Sequence, residues 1–405
     1  MCYNLIGLSL KEAKMYGKKY PLRKCTAFSI FLLLLTAPAI TTAKTIYVDD
    51  DGPADFNNIQ EAINDTNDGD TIIVAEGTYY ENINFNGKNI ALRSTDPNNP
   101  DIVAATIIDG NNLDSVVTFA GTESETCVLA GFTIRNGFYD YEYTRGGGGI
   151  CGGSEENHTR ATIRNNIITL NFAWDGGGLS RCDGLIEKNS ITANIARWYQ
   201  GGGGLYQCNG IIRNNIISGN RSGGCEGAGA MSYCDGTIKN NTVTGNLSHA
   251  YGAVAYCHGI ISNCIIWGNS GDGNIDTDPC FAEPGHWEDP CNIPYDPWDD
   301  IWIDGDYHLK SQAGRWDANE GRWTKDEVTS LCIDAGDPHS PIGLEPFPNG
   351  GIINMGADGG TAEASKSYFG EPVCETIVAG DINGDCQINF KDFAIMAYHW
   401  LEEQQ

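Results

Sequence analysis

A phrase built from paired isoleucines and asparagines recurs in this sequence at intervals of 23 to 29 residues. Its first isoleucine falls at Ile134, Ile163, Ile186, Ile212, Ile238 and Ile261. The asparagine that closes the phrase keeps the same rhythm, at Asn171, Asn194, Asn220, Asn246 and Asn269. A period of about 25 residues is too short for a propeller blade, and the phrase lacks the leucines of a leucine-rich repeat. We therefore predict a parallel β-helix, in which stacked coils bury each other's apolar faces.

Equivalent residues of successive coils should stack into columns about 4.8 Å apart. We predict an interior aliphatic column at Ile168, Ile191, Ile217, Val243 and Ile266. We place bends at Asn166, Asn189, Asn215 and Asn241, because asparagine tolerates left-handed backbone and stacked amides bond from coil to coil. We expect an interior thiol column rather than a metal site, since no CxxC pair occurs, at Cys182, Cys208, Cys234 and Cys257. The glycine runs before the cysteines are interpreted as tight turns.

The segment that precedes the repeats has a pattern of its own. Residues 45–83 run TIYVDDDGPADFNNIQEAINDTNDGDTIIVAEGTYYENI, with an amphipathic stretch at Ile59, Ala62 and Ile63. This predicts a short helix that closes the open end of the solenoid. The segment resembles the opening of pectinesterases and of the wider right-handed, pectin lyase-like β-helix families. The resemblance implies a right-handed parallel β-helix over residues 44–275.

The resemblance does not extend to catalytic motifs. The paired aspartates and arginine of pectinesterases are missing downstream, as are the Asn-Thr-Asp, Asp-Asp and Gly-His-Gly motifs of polygalacturonases. Activity is therefore not carried over, and catalytic residues stay unassigned. The glycine-rich half of each phrase is similar to the GG-A-I repeats of polymorphic outer-membrane adhesins, which keeps an adhesive role open.

The rhythm of the repeats stops after Asn269. We interpret residues 276–369 as a C-terminal cap or extension of the solenoid, which covers the last exposed strand edges. The final segment, residues 370–405, contains AGDINGDCQINFKDFAIMAYHWLE. Its spacing predicts a calcium loop followed by an apolar helix, with ligands Asp381, Asn383, Asp385, Gln387 through its carbonyl, Asn389 and Asp392.

With aspartate at its last position, this loop resembles a type I dockerin repeat, which implies a cohesin-like partner. Cys386 stands where such loops carry glycine, and one repeat is present where dockerins use two. A disulfide between Cys374 and Cys386 would offset strain at that position. The overall prediction is an all-β protein, a right-handed parallel β-helix with a small α-helical calcium-loop segment at its end.

The start of the chain predicts export. Residues 1–43 have a basic stretch, a short apolar run and a small-residue exit, as in a secretory signal peptide; residues 1–14 form an upstream extension if Met15 is the true start. The formal net charge is −28, and six of the 25 Lys and Arg residues lie within the predicted signal. Such acidity excludes nucleic acid and anionic membranes as general partners. We expect a secreted or cell-surface protein with no membrane span after cleavage.

Two sets of residues are candidates for ligand binding. Exposed aromatic rings in the loops after the closing asparagines would contact sugar rings: Trp174, Trp198, Tyr199, His249 and Tyr251. A basic stripe interrupted by Glu187 would hold a polyanion: Arg135, Arg164, Arg213 and Lys239. Asp175 and Glu226 lie in comparable loops and are candidates for a carboxylate pair.

These patterns leave three functions open. The first is binding of extracellular polysaccharide. The second is its degradation by a polysaccharide lyase or a glycoside hydrolase. The third is an adhesin-like surface role without catalysis.

Overall fold

The computed structural model describes residues 43–139, 146–197, 200–249, 251–271, 274–275, 277–290, 300–370, 373, 378–383 and 386–400. The predicted signal peptide therefore lies outside the described residues, except for Ala43. Residues Ala43–Gln405 form one compact unit. Most of its strands belong to four parallel sheets that stack coil over coil, which confirms the parallel β-solenoid. A complete coil passes through sheets I, II, III and IV in that order.

The strands of each sheet are as follows. Sheet I contains Thr45–Val48, Thr71–Val74, Ala91–Ser94, Val128–Ala130, Thr162–Arg164, Leu185–Glu187, Ile211–Arg213, Thr237–Lys239 and Ile260–Ser262. Sheet II contains Gly77–Tyr80, Thr106–Asp109, Thr133–Arg135, Ile167–Thr169, Ser190–Thr192, Ile216–Ser218, Thr242–Thr244 and Ile265–Trp267. Sheet III contains Phe138–Tyr139, Phe172–Ala173, Ile195–Ala196, Arg221–Ser222 and Leu247–Ser248. Sheet IV contains Ile83–Asn84, Val117–Thr118, Ile150–Cys151, Leu179–Ser180, Leu205–Tyr206, Met231–Ser232 and Val254–Ala255.

The predicted columns form the core. In sheet I, Ile186 pairs in register with Ile163 and Ile212, and all three are fully buried. The predicted place of Ile134 in the sheet I column is wrong, because Ile134 pairs with Ile168 in sheet II. The next residue, Arg135, accordingly stays out of the basic stripe, and its Nε lies 2.9 Å from Oδ2 of Asp109. Each central coil has one inward-facing isoleucine in its sheet I strand and an inward-facing isoleucine or valine in its sheet II strand. The spacing of the repeat therefore does not distinguish the two sheets.

Two asparagine ladders run through the bends between the sheets. In the first, Nδ2 of Asn189 donates to Oδ1 of Asn215 at 3.0 Å, and Nδ2 of Asn215 donates to Oδ1 of Asn241 at 3.0 Å. The second ladder links the closing asparagines in the same way, from Asn171 to Asn269. The left-handed residue of each bend is the one before the ladder asparagine, at Asn165, Lys188, Asn214 and Asn240 in the first ladder. The ladder position is therefore selected for its amide rather than for its backbone freedom.

The glycine runs serve close approach between coils, not the tight turns that the sequence predicted. Gly177 and Gly203 occupy the same position in successive coils and do not adopt a positive φ. A Cβ at Gly177 would stand 2.4 Å from the carbonyl oxygen of Gly203, which no side chain could tolerate. The thiol column is confirmed for Cys182, Cys208 and Cys234, which are buried and free, whereas Cys257 at its end is free and half-buried.

Among the described residues, three helices accompany the sheets: α1 at Ile59–Asp65, α2 at Pro100–Ala105 and α3 at Phe390–Trp400. Helix α1 buries Ile59, Ala62 and Ile63 completely against the first coils, as the amphipathic pattern predicted. The side chain of Asn58 caps its start by accepting from the amide of Glu61 at 2.8 Å. The first coil is thus covered by a helix that the sequence located correctly.

The C-terminal extension packs against the outer face of sheet II, up to its last strand. Its antiparallel strands are Phe281–Glu283 with Asp306–Leu309, His286–Glu288 with Ile301–Ile303, and Arg315–Asp317 with Arg322–Thr324. Phe281, Tyr307 and Leu309 form a second core with Ile265 and Ile216 of sheet II. Ile260 and Ile261 of the last sheet I strand stay 68% and 40% exposed. The predicted cover for that strand edge is therefore not provided by the described part of the extension.

Trp302 is one of the residues through which the extension packs against the solenoid. Its indole ring lies over Gly219 and Gly245, where a Cβ would approach ring atoms to 2.1 Å and 2.0 Å. Both glycines adopt a positive φ in the bend between sheets II and III. Earlier coils carry Leu170 and Ala193 at this position. The change to glycine gives a flat surface on which the indole packs.

Candidate ligand-binding site

Four tyrosines meet on the outside of sheet IV and form what we call the tyrosine cluster: Tyr206, Tyr233, Tyr251 and Tyr256. The rings of Tyr233 and Tyr256 stack with centroids 4.8 Å apart and planes inclined by 16°. Tyr206 lies against Tyr233 at 5.9 Å, and Tyr251 lies against Tyr256 at 5.5 Å. Tyr251 is 47% exposed, whereas Tyr206 is buried beneath the others. The cluster is a continuous aromatic surface that spans several coils.

The backbone explains why these rings stack. Tyr233 and Tyr256 directly precede Cys234 and Cys257 of the thiol column, and both adopt left-handed backbone, with φ of 55° and 54°. Equivalent residues lie one coil apart, so their side chains leave the bend in parallel. The sequence carries a signal for this stack, a tyrosine directly before each of the column cysteines Cys234 and Cys257.

Polar groups adjoin the rings. Nε2 of Gln200 donates to Oε2 of Glu226 at 3.0 Å, and Oγ of Ser232 donates to the carbonyl oxygen of Gln200 at 2.8 Å. A hydrogen bond with Tyr251, together with the negative charge of Glu226, raises the pKa of Tyr256. Flat rings beside amide, carboxylate and hydroxyl groups match the needs of a sugar, which offers apolar ring faces and hydroxyl edges.

The structure places the predicted aromatic residues in different environments. Tyr251 joins the cluster. Trp174 is half-buried, and its Nε1 atom is inaccessible to solvent, so this ring is not a freely presented platform. Trp198 and Tyr199 lie outside the described residues. The interpretation of these loops as a ligand surface therefore rests on the tyrosine cluster.

The two acidic candidates lie in loops two coils apart, and Asp175 is buried. Oδ2 of Asp175 lies 3.8 Å from Nη2 of Arg181, and both side chains are 1% exposed. Bridges from Gly176 to Gly202 and from Gly202 to Ala228 place the Glu226 loop two coils away, at a separation of about 10 Å. Asp175 is held as a buried ion-pair partner, a role that opposes proton transfer to a sugar.

The basic stripe lies on the outer face of sheet I but is locally neutralised. Arg164, Glu187, Arg213 and Lys239 follow one another in register. Nη2 of Arg213 lies 2.7 Å from Oε2 of Glu187. Glu187 therefore relieves the repulsion between neighbouring cations, and the stripe offers a polyanion less positive charge than its sequence indicated.

The predicted calcium loop is folded around its acidic side chains. Asp381, Asn383 and Asp392 are at most 5% exposed, and Oδ2 of Asp381 accepts from the amide of Cys386 at 2.8 Å. The carboxylate of Asp392 accepts from the amides of Ile382 and Asn389 at 2.8 Å and 2.7 Å, which lowers the pKa of Asp392. Gln387 and Asn389 are exposed, and Asp385 lies outside the described residues.

Cys386 adopts the turn that loops of this kind normally assign to glycine. Its φ is 61°, and its sulfur is disulfide-bonded. The predicted partner, Cys374, lies outside the described residues. Helix α3 begins at Phe390, as the apolar pattern after the loop predicted. The donor set and the sharp turn fit a hard cation such as calcium.

Comparison of the chain with protein-family models, curated proteins and solved structures finds no match. The resemblances to pectinesterases, adhesins and dockerins thus rest on the quoted motifs alone. No helix in the described part of the chain combines the length and apolar character needed to cross a bilayer.

Proposed function

We propose that this chain is a secreted or cell-surface right-handed parallel β-helix protein that binds extracellular polysaccharide through the tyrosine cluster. The stacked rings of Tyr233 and Tyr256, extended by the exposed Tyr251, carry this proposal. Rings of successive coils form a linear surface, which suits a polymer of sugar units better than a single small molecule. Binding is favoured over degradation because Asp175 is buried against Arg181.

The first prediction tests the tyrosine cluster. Tyr251→Ala combined with Tyr256→Ala should weaken polysaccharide retention by roughly 10-fold to 100-fold, because loss of two contacting rings removes apolar contact with the sugar. Affinity electrophoresis should follow a glycan array that identifies the ligand. Tyr80→Ala is the matched control, because Tyr80 is 69% exposed on an early coil.

The outcomes separate the three functions. Unchanged retention in the double variant, with native circular dichroism, would contradict the proposed surface. Shortened or unsaturated products in the incubation would establish degradation. Absence of glycan binding together with attachment to another surface would favour the adhesin-like alternative.

We propose further that the loop at Asp381 to Asp392 binds one structural calcium ion. Two buried carboxylates and the side chain of Asn383 lie within a loop that is already closed by the Cys386 turn. Calcium would neutralise these charges and hold helix α3 against the extension. Ile395 of this helix lies beside Gly351 of the extension. A cohesin-like partner would bind this same segment, and a pull-down with a cohesin tests that role separately.

The second prediction concerns this loop. Asp381→Ala should abolish one calcium-binding event in calorimetry of the full chain, because the first ligand of the loop is lost. Calcium should also stabilise helix α3 in the parent chain, seen as a gain in helical circular dichroism, and Asp381→Ala should lose this gain. Glu327→Ala, an exposed carboxylate of the extension, should leave the calcium heat unchanged. A full calcium heat in Asp381→Ala would contradict the assignment.

A further inference from the structure

A second cluster of potential metal ligands lies in the C-terminal extension. His308, Asp358 and Glu363 each offer a ligand atom, and these atoms all lie within 4.8 Å of one another. Nε2 of His308 is 3.9 Å from Oδ1 of Asp358. His308 belongs to the strand Asp306–Leu309, whereas the two carboxylates come from a segment about 50 residues later in the sequence. The cluster therefore joins distant parts of the extension.

A supporting layer orients the imidazole. Nδ1 of His308 lies 2.6 Å from Oδ1 of Asp306, whose Oδ2 lies 3.1 Å from Nη1 of Arg315. A carboxylate at Nδ1 places the proton there and directs the lone pair of Nε2 toward the other side of the ring. Nε2 is inaccessible to solvent and makes no hydrogen bond to any described residue. A buried nitrogen that faces two carboxylates without a hydrogen bond is a position for a cation.

The electrostatics favour a cation at this position. The imidazole of His308 lies between two carboxylates, with Asp306 at Nδ1 and Asp358 facing Nε2. Asp358 and Glu363 would together balance the charge of a divalent ion. Because Glu363 is exposed, its side chain is free to shorten the remaining separation.

We propose that His308, Asp358 and Glu363 bind one divalent metal ion of the zinc class. Zinc binds imidazole nitrogen and carboxylate oxygen at about 2.0–2.2 Å, so neighbouring ligand atoms stand roughly 3–4 Å apart, as Nε2 and Oδ1 already do. Calcium and magnesium prefer oxygen ligands alone, so the imidazole disfavours them. Three protein ligands leave room for a water molecule.

The site would fasten the extension to the solenoid. Asp358 lies between two residues whose carbonyl oxygens, those of Ala357 and Gly359, accept from Nδ2 of Asn214 at 2.7 Å and 2.9 Å. Asn214 occupies the bend between sheets I and II. A metal that links Asp358 to His308 would thus tie the strand Asp306–Leu309 to the segment that contacts this bend. Its role is structural and independent of polysaccharide binding.

Zinc titration of the full chain tests the proposal, with Glu363→Gln as the deciding variant. Because Glu363 is exposed, the Glu363→Gln variant should fold normally. Its Kd for zinc should rise at least about 10-fold. His308→Gln should raise the Kd further. Glu327→Gln, a second exposed glutamate of the extension, should bind zinc as the parent chain does.

Cobalt absorption spectra and calcium competition identify the ligands that the ion uses. A bound ion without thiolate charge-transfer bands, retained in Asp381→Ala and undisturbed by excess calcium, supports the His308 site. Thiolate bands would assign the ion to the free cysteines and overturn the proposal. Zinc affinity that is the same in the parent chain and in folded Glu363→Gln would overturn it as well, as would no zinc binding by the parent chain.

Discussion

Ile212→Asp is expected to destabilise the solenoid by about 4 kcal/mol or more, because it places a carboxylate in an apolar interior without a partner. Ile212 is fully buried between Ile186 and Ile238 of the neighbouring coils. Each coil depends on its neighbours for its core, so the damage should spread to both sides. Urea unfolding followed by far-ultraviolet circular dichroism measures the effect.

The adjacent residue supplies the control for this prediction. Ile211 is 45% exposed, because successive side chains of a strand point to opposite faces. Ile211→Asp introduces the same chemical change one position away and should shift stability by less than about 1 kcal/mol. Equal losses in the two variants would mean that the register of sheet I is wrong.

The second large effect is expected for Asn215→Ala, which should lower the free energy of unfolding by about 3–5 kcal/mol. Nδ2 of Asn215 donates to the carbonyl oxygen of Ile186 at 2.9 Å and to Asn241, while Oδ1 accepts from the backbone amide and the side chain of Asn189, both at 3.0 Å. Alanine leaves these partners unsatisfied in a dry interior, where each costs about 1–3 kcal/mol. Denaturant unfolding and hydrogen exchange of the Asn189 amide would both report the loss.

The end of the second ladder offers a graded comparison. Asn269 is only half-buried, so water can replace some of the hydrogen bonds that its side chain makes. Asn269→Ala should therefore destabilise the chain less than Asn215→Ala. If the two variants lose the same stability, or if Asn215→Ala loses less than about 1 kcal/mol, the ladder does not stabilise the fold as described.

The arrangement of the faces bears on ligand binding. The extension packs on sheet II and also contacts sheet III, where Arg221 lies over the ring of Trp287, whereas the tyrosine cluster lies outside sheet IV. The extension and the proposed polysaccharide surface therefore occupy different faces. Zinc binding at His308 and sugar binding at Tyr251 should be separable by mutation.

Periodic spacing allowed much of the solenoid to be predicted. The columns at Ile168 and Cys182, the amide ladder through Asn215 and helix α1 all occur where the pattern placed them. Each depends on a residue meeting its equivalent one period away, or on local amphipathicity. Two details were wrong for local reasons: Ile134 belongs to sheet II, and Gly177 serves close approach between coils.

The sequence by itself determined which residues share a column, because in a solenoid the distance between coils converts a fixed period directly into contact. Only the tertiary structure decided the contacts that have no period: Trp302 on Gly219, His308 beside Asp358, and Tyr251 against Tyr256. These contacts depend on where a non-repeating segment folds back and on which surface it complements. Complementarity of shape and charge between distant segments leaves no regular spacing in the chain.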